Sequence, residues 1–429
     1  MKVSRVMKQW KSLFVLFNFV VLINWLLPAQ DVYTTQIFSP NIRTLQMKIN
    51  GDPLSLPILK LGGTDVLECS FDEMSHERHS YSYEIIHCNA DWTASSLSTS
   101  EYLQGFSRGY IDNYALSVNT TFLYTHYSFI LPNGDVNFLV SGNFVVRIFE
   151  DNNSENPIAE ACFMVVEPKV DIDASVRGNT DTELNRTKQQ LDFVVSLQNY
   201  NVQDAVSEMK VVVRQNDRLD NQVTDLKPTF FSGNKLNFTN NRKLIFEGGN
   251  EYHRFDFSSI YNYDQRIDRI KFEKPYYQVY LEDNHIQKEA PYEQDFDANG
   301  RFVINYQNNY DNNEFDVEAD YMFVNFYLPV EKPFDNGSLY LGGYWNYNLM
   351  NGTSRMEYDS SNQLYFKTLL LKQGGYNYQY WYLPQGTSTA SVEPVDGSHW
   401  QTQNQYAIYV YHRPWGGRYD KLIGVKIIQ

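Results

Sequence analysis

Gly374-Gly375-Tyr376-Asn377-Tyr378-Gln379-Tyr380-Trp381-Tyr382 is the stretch on which the fold turns. Tyrosines at 376, 378, 380 and 382 share one side of an extended chain, with Asn377 and Gln379 opposite. A period of two is the signature of a strand with one buried face. The same alternation recurs outward from it. Ile172, Ala174 and Val176 alternate with Asp171, Asp173 and Ser175, and Leu191, Phe193, Val195 and Leu197 share a face. Asn143–Phe149 and Lys210–Arg214 alternate less strictly and suit strands buried on both sides. Turn signals separate these runs: Asn50-Gly51-Asp52, Pro132-Asn133-Gly134-Asp135, Asn299-Gly300 and Asn336-Gly337. Helical periodicity is confined to short pieces near Ser100–Phe106. The pattern predicts an all-β chain of tandem immunoglobulin-like or early-set sandwiches with long decorated loops.

Composition agrees. Aromatic residues make up 16% of the chain, with 33 Tyr and 27 Phe, a bias that favours strands. The formal net charge is −15, and the four basic residues before Gln30 leave the remainder at −19. A field of that sign repels nucleic-acid phosphates and anionic lipid heads. No nucleic-acid partner and no direct insertion into a membrane are expected. A transmembrane β-barrel fits the aromatic content, but several strands carry charge on both faces and the chain ends Val425-Lys426-Ile427-Ile428-Gln429.

The N-terminus has its own logic. Lys2, Arg5, Lys8 and Lys11 precede the apolar run Ser12–Leu27, and Pro28-Ala29-Gln30 follows. Basic start, short apolar segment and small residue form the order of a secretory signal peptide, with removal expected between Ala29 and Asp31. Composition breaks after Glu167-Pro168 and across the polar run Asn308–Glu314 then suggest divisions. The expected organisation is a signal peptide over 1–30 and sandwich domains over 31–168, 169–310 and 311–429. Cys69, Cys88 and Cys162 permit one disulfide at most, and whether any forms stays open.

Chemistry-bearing motifs are sparse. The sequence has no P-loop, nucleophile elbow or His-Glu-x-x-His motif. His76-Glu77-Arg78-His79 superficially resembles a metal motif, but no third ligand accompanies it. Asp295-x-Asp297-x-Asn299-Gly300 opens like a calcium loop, yet Tyr306 stands where a bidentate Glu belongs, so a hairpin turn is expected. The reading is a non-enzymatic protein without catalytic residues, metal or cofactor.

Two resemblances extend this. Leu339-Tyr340-Leu341-Gly342-Gly343-Tyr344-Trp345-Asn346, with the strand–turn–strand Leu370–Tyr380, resembles the early-set sandwich of glycogen-binding modules. That resemblance implies sugar stacking on exposed aromatics, with Trp345 and Trp381 as platform candidates. The alternative is that these aromatics fill a core.

The second spans the mature length. It rests on Leu54–Gly63, Ile85–Trp92, Ser100–Phe106, Ser141–Phe144, Phe163–Pro168, Leu226–Phe230 and Ile245–Tyr252. These strings resemble the plug proteins of the type IX secretion system of Bacteroidota. The resemblance implies a periplasmic, monomeric protein that binds and seals the periplasmic opening of the outer-membrane translocon barrel. A periplasmic carbohydrate-binding protein is the alternative function. A reversible seal calls for a polar rim around a few aromatic anchors. The loop Asn89–Tyr110 offers Trp92, Tyr102, Phe106 and Tyr110 for that role, unless Trp92 and Tyr102 fold back onto their own domain.

Overall fold

The computed structural model describes residues 31–150, 153, 155–307 and 314–429; the expected signal peptide lies outside them. The described chain is all-β, built from mostly antiparallel sheets around three principal hydrophobic cores.

In the first sandwich one sheet runs Gln36–Ile37, Pro157–Val166, Gly142–Glu150, Tyr81–Cys88 and Arg108–Ile111, and Ile58–Lys60 adds in parallel to Pro157–Val166. The other runs Ile42–Ile49, Leu67–Glu73, Thr125–Leu131 and Asn113–Leu116. Aromatic rings interlock between the sheets. Tyr81 of one sheet meets Tyr127 of the other edge-on at 4.8 Å, and Tyr127 also stacks at 5.3 Å on its cross-strand neighbour Phe71. Such pairs add about 0.5–1.5 kcal/mol each beyond the apolar area they bury.

The second sandwich faces the sheet Asp171–Arg177, Lys188–Ser196, Lys235–Asn237, Phe230–Ser232 against the sheet Met209–Gln215, Tyr406–His412, Lys421–Ile428. Leu191, Phe193 and Val195 from one side meet Val211, Val213, Ile408 and Val410 from the other. The third faces Ile267–Glu273, Tyr276–Leu281, Tyr321–Pro329, Leu364–Lys372 and Glu357–Asp359 against His253–Asp256, Gly374–Pro384 and Phe302–Ile304.

Strand pairing corrects the expected linear division. Tyr276–Leu281 and Tyr321–Pro329 are parallel neighbours in one sheet, so a boundary at 310/311 cuts through a sandwich. Parallel neighbours need a long crossover, and residues 282–320 supply it. Tyr406–His412 pairs with Met209–Gln215, so the last two strands complete the second sandwich, and the third is inserted between its parts. Nothing local in a strand says which distant strand it will join. A composition break was therefore a poor guide to the second boundary.

The sandwiches are joined by buried polar contacts. Asp72 of the first sandwich accepts Lys372 Nζ at 2.6 Å and Tyr321 Oη at 2.6 Å, both from the third. Its other oxygen lies 2.6 Å from His126 Nδ1. Burial pushes the Asp72 carboxyl up, but Lys372 and His126 outweigh it and hold the group below its ordinary range. Removing one partner of such a pair leaves the other charge buried and uncompensated, at about 3–5 kcal/mol.

Candidate partner-binding surface

The four candidate anchors separate into two pairs. After strand Tyr81–Cys88 the chain forms a tight loop in which Trp92 N–H donates to Asn89 O at 2.9 Å. Trp92 has φ +64°, a left-handed conformation rare for a bulky residue. Its ring is buried among Leu56, Met164, Val212 and Tyr409, with the Arg214 guanidinium 6.0 Å from it. Arg214 and Tyr409 belong to the second sandwich. Around the ring, Ala90 N–H donates to Asp420 and Arg413 donates to Asn89. Trp92 therefore holds two sandwiches of this chain together and presents no face to a partner.

Tyr102 closes the one-turn helix Thr99–Tyr102, whose start is fixed by a capping box between Ser98 and Glu101. Its hydroxyl donates to Ile85 O at 3.1 Å and its ring is buried beside His87 and Phe144. His87 itself lies 2.8 Å from Ser95 Oγ, and burial pulls its imidazole down to about 4. This half of the loop is built into the core.

The second half turns outward. Phe106 is 74% exposed and Tyr110 is 68% exposed. Tyr110 lies in the edge strand Arg108–Ile111, whose pairing with Tyr81–Cys88 sets Tyr110 opposite Ser82 on the outer face. A single residue, Asp112, then carries the chain into Asn113–Leu116, the edge strand of the facing sheet. Tyr114 and Leu116 are exposed there too. Of 23 exposed large apolar side chains among the described residues, eight fall between Phe106 and Leu139. Sequence reasoning missed Tyr114 and Leu116. Their signal is the uncharged run Asn113-Tyr114-Ala115-Leu116 directly after the outward-facing Tyr110.

The sugar-platform candidates fare differently. Trp381 is fully buried, its Nε1 donates to Gln379 Oε1 at 3.3 Å, and the Arg218 guanidinium covers its ring at 4.3 Å. It cannot offer a face to a sugar, so the core-filling reading holds for Trp381 and the sugar-platform alternative does not. Tyr376, Tyr378 and Tyr380 point into the third core, while Trp381 points the other way, where Ala390, Val392 and Arg218 cover it. Trp345 is half-buried against the third core, at the wall of a cavity of about 500 Å³.

The other motifs turn to structural tasks. His76 Nε2 lies 3.1 Å from Ser117 O, whereas His79 Nδ1 lies 2.6 Å from Glu73. Asp295 pairs with Arg254 and Arg266. Asp297 accepts the backbone N–H groups of Tyr252 and Asn299, and Asn299 and Gly300 take positive φ in the turn. Burial raises the Asp297 carboxyl to about 6. Cys69, Cys88 and Cys162 are free thiols.

The described chain is an all-β protein of packed sandwiches with exposed aromatic side chains along one rim of the first. Residues 42–167 match the family described as "Type 9 secretion system plug protein 1st domain", which identifies the first sandwich as a first domain of the type IX secretion plug family. A crystal structure of a hypothetical protein from Parabacteroides merdae ATCC 43184 is similar over 93% of this chain and 100% of that one, with 42% identity and a TM-score of 0.90. No curated protein matches.

Proposed function

We propose that this protein is a periplasmic plug that binds the outer-membrane translocon barrel of type IX secretion and closes its periplasmic opening. The observation that carries this reading is the family match over residues 42–167, the segment that bears the exposed rim from Phe106 to Leu116. A stopper has to resist deformation, and the buried Asp72–Lys372 contact between sandwiches supplies stiffness. A seal that is broken and remade needs a modest apolar patch within a polar surface, which describes the rim. The role asks for positioning and needs no catalysis.

Deletion of the gene tests it. The expected result is an outer membrane that admits vancomycin while cargo still reaches the cell surface. Unchanged permeability, together with no binding of the purified protein to the detergent-solubilised barrel, would refute the role.

A further inference from the structure

Sheet edges in this molecule are treated unequally. The edge strand Ile267–Glu273 carries Asp268, Arg269, Lys271 and Glu273, and the edge strand Asp171–Arg177 carries Asp171, Asp173 and Arg177. Charges on an edge prevent another strand from adding to it. Asn113–Leu116 has no charge, no proline and no bulge, and all four of its residues are exposed.

Its hydrogen bonding shows which groups are on offer. Ser117 N–H donates to Tyr124 O at 2.9 Å, so Ser117, Ala115 and Asn113 direct their main chain at strand Thr125–Leu131. Tyr114, Leu116 and Val118 direct theirs away from it. Val118 N–H is already used, donating to Val317 O of the third sandwich at 2.9 Å. Ahead of it, no strand among the described residues lies on the outer side of Tyr114 and Leu116.

We infer that this outer side receives an extended strand from the translocon barrel, added to the sheet as one more strand. The inference rests on the proposed plug role and names the contact through which it acts. Outward main-chain donors and acceptors in a row select an extended segment over a helix or a loop. The rim side chains Tyr114 and Leu116, set opposite Tyr127 and Thr125, call for apolar residues at alternate positions of the added strand. The strand carries no charge of its own, although Arg78 lies 4.8 Å over the Tyr114 ring and pairs with Asp112, and the −19 field disfavours an acidic segment. Phe106 and Tyr110, just before the strand, extend the apolar contact past its end.

The probe is the detergent-solubilised outer-membrane barrel, titrated against the full-length protein. Tyr114→Pro removes an outward N–H and leaves the ladder to Thr125–Leu131 in place. Leu116→Lys adds the kind of charge that guards the edges Ile267–Glu273 and Asp171–Arg177. Each is expected to raise Kd at least tenfold with an unchanged far-ultraviolet spectrum. Phe230→Pro, in the uncharged edge strand Phe230–Ser232 of the second sandwich, is expected to leave Kd unchanged. If Tyr114→Pro alone unfolds, Leu116→Lys decides. Wild-type binding that neither variant weakens overturns this inference and spares the plug role, whereas absence of wild-type binding overturns both. A dimer of the free protein that Tyr114→Pro dissociates would assign the edge to a second copy and also overturn it.

Discussion

Two stretches of one continuous loop region make opposite use of the same residue types. From Asn89 to Tyr102 the aromatics turn inward, with Trp92 between two sandwiches and Tyr102 over His87. From Phe106 to Leu116 they turn outward. What separates them is main-chain partnership. The first stretch is held by Asn89, Ser95, Asp420 and a capped helical turn, which fix the rings before any partner arrives. The second runs along two sheet edges, where the main chain has a partner strand on one side only. Aromatic content alone therefore does not place a ring at the surface; edge position does.

The comparison can be broken most severely at Trp92. Trp92→Ala is expected to cost about 3–5 kcal/mol, as for other buried large aromatics. Chemical denaturation measures it, and a loss under 1 kcal/mol would mean that the ring does not hold the sandwiches. His87 gives the next effect. Its imidazole is neutral in the folded protein and titrates near 4, against an ordinary value of 6.5. Its stabilising contribution is full above pH 6.5 and falls as pH drops from 6.5 towards 4. The shift corresponds to roughly 3 kcal/mol at most. His87→Gln should flatten that part of the stability profile, and an unchanged slope between pH 6.5 and 4 would contradict the assignment.

The outward stretch should behave in reverse. Phe106→Ala with Tyr110→Ala is expected to shift stability by no more than about 0.5 kcal/mol. The same pair should weaken barrel binding by about 2 kcal/mol or more, close to thirtyfold, read by titration calorimetry. Smallest of all is Arg108→Ala, which removes an exposed ion pair with Glu84 and should change stability by less than about 1 kcal/mol.

The strands were legible because alternation is local. Tyr376, Tyr378 and Tyr380 face a core as their spacing predicts. The opposite face of that strand was not legible. Asn377, Gln379 and Trp381 read as a solvent side, yet Gln379 donates to Asn250 and Arg218 lies over Trp381. Burial of that second face is decided by the loop carrying Ala390 and Val392 folding back and by Arg218 of the second sandwich, contacts that period-two spacing does not encode. For Trp92 the sequence left partner contact and inward packing both open, but it did not show that the inward partners Arg214 and Tyr409 come from a second sandwich far along the chain.

The return of the last strands has a consequence in time. A chain made from its N-terminus exposes Met209–Gln215 long before its neighbour exists, because Met209 pairs with His412. Until the final residues emerge, Leu191, Phe193 and Val195 lack Ile408 and Val410 opposite them. Pairing across such a span is slow, since loop closure precedes the contacts that reward it. The half-made sandwich is a sticky species during that delay. Its maturation therefore depends on whatever shields apolar surface along the route, and a cell short of such helpers should lose this protein early.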